Sequence, residues 1–465
     1  MQPFSFYALL MYNRLINHIS IDSRALSLMR IAIGLVLICD IILRLPFAQA
    51  FYGPNGIYPT KDFYVQSAWF NQLSFHLLGG EALQYALLVM HLFIAVLLLL
   101  GIQTRWATVI CWVLLVSSHN RNPFILQGGD DLLRLVLFWC IFLPWGRHFN
   151  YKKQEKPIAI NGMAAWALIL QVLSVYFYSA MMKGPEWHTH FSAVWFAYQL
   201  DSITYPLATY LLNFPQLLKV LTLLAFLFEL LIPLVAIVFF PNPPTRIFAF
   251  VSIVAFHLWN ASTLLIGIFP WVGIACALVL LPPTIFIRKQ TNPEITSSLN
   301  QPASLIVQVL FLAGIVYTQI WNLNNTAVLP YKMTNEIAFA GNLFRLDQSW
   351  GMFAPGVLKD DGWFVLKAGD QDLIHNRRLI NITENPSKRS DLFANDRWRK
   401  LGENISQPRF YFLQKPFCRY ALNTLYPSNA DSATLYFINN LTTTKGTNQP
   451  LEIELCSCSA MAAHP

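Results

Sequence analysis

The stretch YSAMMKGPEWH, Tyr178 to His188, sets a lysine directly after a long apolar run and then stops the helix with Gly184 and Pro185. Desolvation lowers the pKa of an amine, so a lysine held half out of water is partly neutral and can accept a proton. Tyr176, Tyr178, Ser179, Glu186, Trp187 and His188 are its sequence neighbours. The competing role is an anchor, with Lys183 snorkelling to a membrane surface and Trp187 in an interfacial belt. Position on the outer face, where a lysine is the less expected cation, favours the base.

Two further clusters carry polar groups. The stretch SSHNRNPFILQGGDDLLR places His119, Asn120, Arg121, Asn122, Asp130, Asp131 and Arg134 on the side predicted for Lys183. Gly128 and Gly129 permit close backbone approach, and Asp130 stands one helical turn from Arg134. These residues either line a polar pocket or cap a helix start, with Arg134 paired to Asp130. In FHLWNASTLLIGIFPW, His257 and Asn260 are one turn apart and face the same way, as ligand contacts or as interhelical hydrogen bonds. Glu229 has no local partner, so it meets a cation from another helix or is protonated. Asp40 and Arg44 pair along one helix, Arg30 and His91 complete the ionisable groups within apolar runs, and no spacing of ligating residues points to a metal site.

The elements that position these groups follow from composition. Of 465 residues, 55% are hydrophobic and 12% charged, which predicts an integral membrane protein. Apolar runs fall at 25 to 45, 82 to 101, 106 to 119, 131 to 146, 162 to 182, 217 to 240, 247 to 265, 270 to 287 and 303 to 321. Nine crossings put Arg14, Arg24, Arg105, Arg147, Lys152, Lys153, Lys156, Arg246, Arg288 and Lys289 on one face, the cytoplasmic one. The segment from Ala193 to Asn213 holds Asp201, Ser202, Thr204 and Pro206, and is predicted as an interfacial or re-entrant piece on the outer face. The expected organisation is a cytoplasmic segment (1–24), an all-α multi-pass transmembrane helical bundle of about nine spans (25–321) and a small β-rich C-terminal extramembrane domain outside the cytoplasm (322–465). The strands of that domain are expected at GWFVLKA (362–368), RFYFLQ (409–414), ATLYFI (433–438) and LEIELC (451–456). In an oxidising compartment Cys418 would pair with Cys456 or Cys458. The charge of +8 fits positive loops against anionic lipid, and no basic run or aromatic-basic array points to nucleic acid.

Taken in order, SLMRIAIGLVLICDIILRL (Ser27 to Leu45), GPNGIYP (Gly53 to Pro59), LLLLGIQTRWAT (Leu97 to Thr108), SHNRNPFILQGGDDLLRLVLFWCIFLPWG (Ser118 to Gly146), MKGPEW, HLWNASTLLIGIFPW and QSWGMFAP (Gln348 to Pro355) resemble the HTTM domain of vitamin K-dependent gamma-carboxylase and shorter bacterial relatives. The resemblance implies a membrane enzyme that oxidises a reduced naphthoquinone with oxygen, a lysine acting as base on the quinol. That oxidation drives removal of the γ-proton of a peptide glutamate, which captures carbon dioxide while the cofactor leaves as an epoxide. Lys183 is the position resembling that lysine, with Tyr176, Tyr178, Trp187, His257 and Asn260 around the quinol and no metal. Two departures bear on the carboxylation half. The stretch His119 to Asn122 has no secure match to a histidine tied to that step in vertebrate carboxylases, and the tail is far shorter than theirs.

The expected function is therefore quinol-dependent oxygenation coupled to carboxylation of a peptide glutamate. Its partners are a membrane quinone or lipid and a peptide or protein on the outer face. The alternative is a non-enzymatic protein that binds lipid or quinone, or docks a partner through its outer domain. A transporter has less support, because paired broken helices in two matching halves are missing. The absence of a cleavage pattern and the short tail suggest a bacterial inner membrane. Asn381, Asn404 and Asn440 would accept glycans only in a secretory pathway.

Overall fold

The computed structural model describes residues 17–151, 155–286, 305–328, 332–386, 393–428, 430–443, 446–447 and 449–460. Arg14, Lys152, Lys153, Arg288 and Lys289 lie outside them. Each apolar run falls on a helix: α1 (Ser23–Arg44), α2 (Glu81–Leu100), α3 (Thr104–Arg121), α4 (Gly128–Cys140), α5 (Met163–Met182), α6 (Pro215–Val238), α7 (Pro243–Thr263), α8 (Phe269–Ala277) and α9 (Leu305–Asn325). Among the described residues five helices are long and apolar enough to cross a membrane: α1 with its continuation to Tyr52, α2, α5, α6 and α9. The nine crossings expected from the sequence lean on shorter pieces. At 13 and 9 residues, α4 and α8 fall short of the roughly 20 needed for the hydrocarbon layer.

Outward faces of these helices are apolar. Phe93 on α2, Leu224 and Leu231 on α6, and Ile306 and Leu310 on α9 are all exposed. So large an unpartnered apolar surface belongs in lipid, and the chain is an integral membrane protein. Within the bundle α5 is central: 72% of its apolar window is buried, against 22% for α6 and 17% for α9, and it packs on α4, α6, α8 and α9. Helix ends are tied by buried cations. Arg30 donates to the carbonyls of Leu98, Leu99, His148 and Phe149, and Arg246 to those of Ser20, Leu280 and Leu281. These guanidinium groups satisfy carbonyls that a helix terminus leaves without partners.

The segment 193–213 contains only short helices, Ala193–Gln199 and Pro206–Leu211. Neither can cross a membrane, and the backbone between them is held by a bridge from Thr204 to Leu264 and by Asp361, which accepts from the amide of Asp201.

Beyond α9, which runs past the expected boundary at 321 to Asn325, the tail is a sheet covered by helices. Strands β1 (Asp360–Ala368), β2 (Ser432–Thr443) and β3 (Leu451–Ser459) form an antiparallel sheet with β2 in the middle, Val365 facing Tyr436 and Tyr436 facing Glu454. Two-residue strands at Gln371–Asp372, Arg377–Arg378 and Gly446–Thr447 extend it. Helices α10 (Asp396–Ile405) and α11 (Gln414–Tyr420) complete the tail's core. The strand expected at 409–414 is not formed; that stretch is a 3₁₀ helix, Pro408–Leu413, leading into α11. Its alternating Phe410 and Phe412 are taken by Phe124 of the bundle, with ring centroids 5.2 and 5.6 Å away, and Pro408 has no amide for a ladder. Asn404 and Asn440 are buried, which leaves neither free to carry a glycan.

Cys418 is bonded to Cys458, joining α11 to β3 across 40 residues of chain. Denatured, unreduced protein is expected to titrate five of the seven thiols, and all seven after reduction. For a loop of this length the bond contributes on the order of 4 kcal/mol by restricting the unfolded chain. Tail unfolding at correspondingly lower denaturant after reduction checks that figure.

Candidate functional site

Helix α5 ends at Met182, and the Lys183 amide bonds back to Ala180 while the Gly184 amide donates to the Pro355 carbonyl at 2.7 Å. This turn directs the lysine side chain inward. Its Nζ forms an ion pair with Glu229 of α6, lies 3.5 Å from Ser179 Oγ and sits 3.9 Å from the ring centre of Trp187. The two charged side chains are 1% and 8% exposed. Burial disfavours both ions and each partner restores the other, so the pair stands or falls together. Lys183 is thus no snorkelling anchor. Trp187 is no belt residue either: it is buried, and its Nε1 donates to the Phe353 carbonyl at 2.8 Å. Glu229, without a partner in its own helix, has the cation of another segment.

Two turns deeper, Tyr176 Oη and His257 Nε2 are 2.7 Å apart. The imidazole lies against Gly273 of α8, where even a methyl group would collide with the ring, and its Nδ1 is buried without a partner. We expect Gly273→Ala to break the Tyr176–His257 contact and lower stability by about 1–3 kcal/mol, read from the thermal midpoint and from the tyrosine environment in the near-ultraviolet spectrum. Asn260 does not join His257. Its amide donates to Phe256 O in its own helix at 3.0 Å. Tyr178 also points elsewhere, toward Gln319 of α9 at 3.1 Å, where Ser174 donates at 3.2 Å. Two residues along a helix are about 200° of rotation, so Tyr176 and Tyr178 cannot face one neighbour.

The second cluster is largely internal architecture. Asn120 donates to the carbonyls of Phe70 and Leu73, Asn122 to that of Phe51, and Arg121 to those of Tyr52, Gly53 and Tyr58. The expected pairing of Asp130 with Arg134 is replaced. Arg134 reaches Asp131 at 3.0 Å and Asp347 at 3.3 Å, whereas Asp130 meets Arg44 at 2.9 Å and Arg397 of α10 at 2.8 Å. Asp40 completes this group, bound to Arg44 as expected and also to Arg397, and His119 Nε2 lies 3.4 Å from Asp130. Opposite charges outside the helix compete better than the residue one turn away, because burial enforces full pairing. Although burial opposes its charge, Asp130 and Asp40 raise the pKa of Arg397 well above its ordinary value. Asp347 is likewise buried, yet Arg134 and Arg345 hold its carboxyl below the usual range.

An open cleft of about 420 Å³ lies beside this cluster, walled by Pro123, Gln127, Asp131, Arg345, Asp347 and Lys400. Of the seven residues expected in a polar pocket, Asp131 is on its wall. The segment 345–357 connects the cleft to the lysine turn: Asp347 binds Arg134, Gln348 accepts from Gln171 of α5 at 2.8 Å, Phe353 holds Trp187, and Pro355 holds Gly184.

With that geometry in view, a family model described as HTTM domain matches residues 18–284. The chain belongs to the HTTM family. No curated protein and no solved structure matches it. The HTTM region contains Lys183, Glu229, Tyr176, His257 and the whole 119–134 cluster, while Arg345, Asp347, Gln348 and Arg397 lie outside it. Sequence reasoning missed those four. For Gln348 the only signal was its position at the head of QSWGMFAP, and for Asp347 its place just before it; for Arg397 there was none, since the RWRK run reads as a solvated helix face.

Proposed function

We propose that this HTTM protein oxidises a membrane quinol, with the Lys183–Glu229 pair receiving the hydroxyl proton. The observation that carries this is a buried ammonium–carboxylate pair at the end of a central helix, bordered by Trp187, Tyr176 and His257. The groups suit a quinol: a proton acceptor inside an apolar, aromatic surround, with Phe228 and Phe256 stacked 4.4 Å apart next to Tyr176. When bound, the quinol supplies the electrons that reduce oxygen. Glu229 would take the proton, and the ammonium of Lys183 paired with it would offset the negative charge left by its loss. Lys183 alone serves as base once its own proton has passed to the carboxylate. Either way both residues are required.

Carboxylation of a peptide glutamate would use the open cleft, whose wall holds the cations Arg345, paired with Asp347 at 3.0 Å, and Lys400, paired with Glu403 at 2.7 Å, for which a side-chain carboxylate would compete. Overall, one quinol, one oxygen, one carbon dioxide and one glutamate would give epoxide, carboxyglutamate and water. The disulfide Cys418–Cys458 supports a tail outside the cytoplasm. Native membranes supplied with reduced naphthoquinone and labelled bicarbonate provide the test: quinone or epoxide production unchanged by Lys183→Ala removes the proposed role, and epoxide without label in added glutamate peptide removes the carboxylation half.

A further inference from the structure

A second cavity, of about 160 Å³, lies where the tail meets the end of α1, and Lys183 and Glu229 do not line it. Phe47 closes it from the bundle; Phe364, Trp398, Phe417 and Tyr426 wall it from the tail. Interiors are packed like organic crystals, so an aromatic hollow of this size is unusual. Its shape is kept by Gly402, in the middle of α10. Glycine is a poor helix residue, yet a Cβ here would stand 3.1 Å from Phe364 Cε2 and 3.4 Å from Phe393 Cε1, at the wall of the cavity. The Trp398 ring packs against Phe47 and Phe51, with centroids 5.6 and 5.0 Å away. Its Nε1–H is nevertheless buried without an acceptor. Buried donors are almost always satisfied, and this one belongs to a residue on the cavity wall.

We propose that this cavity is a binding site for a small bicyclic, largely apolar molecule bearing one hydrogen-bond acceptor, which Trp398 Nε1 engages. Ring faces on several sides select a flat ligand, and the unpartnered Trp398 Nε1–H selects a carbonyl or ether oxygen. The site stands apart from the lysine pair and does not depend on the quinol reading.

Calorimetric titration of α-tetralone and tetralin into the full-length protein in lipid nanodiscs, against empty nanodiscs, tests it. The two probes share their rings, and only the ketone carries an acceptor. Saturable binding of α-tetralone is expected, with tetralin about tenfold weaker. Trp398→Phe should bring the ketone down to the level of tetralin, and Gly402→Val should abolish binding of both. No saturable heat above empty nanodiscs, or undiminished preference for the ketone in Trp398→Phe, overturns the proposal, whether or not the glycine variant folds.

Discussion

Glu229→Gln is expected to lower stability by about 3–5 kcal/mol and, on the proposed function, to lower quinol oxidation by at least about a hundredfold. The substitution leaves an ammonium buried beside Trp187 with, among the described residues, Ser179 Oγ at 3.5 Å as its remaining side-chain hydrogen-bond partner. Removing one member of a buried pair strands the other charge, and that loss dominates over any gain in side-chain freedom. Stability and activity can be separated by removing both members. Lys183→Met with Glu229→Leu replaces the pair by apolar groups of similar size, so most of the stability should return, as read by chemical denaturation in detergent. Activity should not. A double variant that oxidises quinol at the wild-type rate would reduce the pair to a structural tie.

The second large effect is expected at Arg397. Arg397→Met should cost about 3–5 kcal/mol, because it leaves Asp40 and Asp130, both buried, to share the single guanidinium of Arg44. The consequence should be partial release of the tail rather than collapse of the bundle. Arg397 and Asn404, which donates to Phe124 O at 2.7 Å, both anchor α10 to the membrane region. Limited proteolysis should cut the tail several times faster, and Asp40→Asn should restore part of the loss by removing one unbalanced charge. Arg397→Lys should not substitute, since one ammonium cannot span Asp40, Asp130 and the Ile125 carbonyl as the guanidinium does.

Local pattern carried much of this protein. Apolar runs located the helices, because a chain in lipid must bond its backbone within each segment and reveals it by length. The alternation in 433–438 and 451–456 located two strands, and Asp40 with Arg44 is a pair that helix spacing alone implies. Such inferences fail where a local pattern has a distant competitor. RFYFLQ alternates like a strand but spends its aromatic rings on Phe124, and Asp130 abandons Arg134 for Arg44 and Arg397.

The sequence by itself determined a membrane protein of the HTTM kind, the placing of a lysine at the end of a span, and the need of Glu229 for a cation, since composition, helix stops and lone charges are properties of short stretches. Only the tertiary structure decided that Lys183 is that cation, that Tyr176 serves His257 while Tyr178 serves Gln319, and that the tail reaches into the bundle through Arg397. Those choices depend on which helices touch. A buried charge takes the nearest complete partner in space, whatever its distance along the chain.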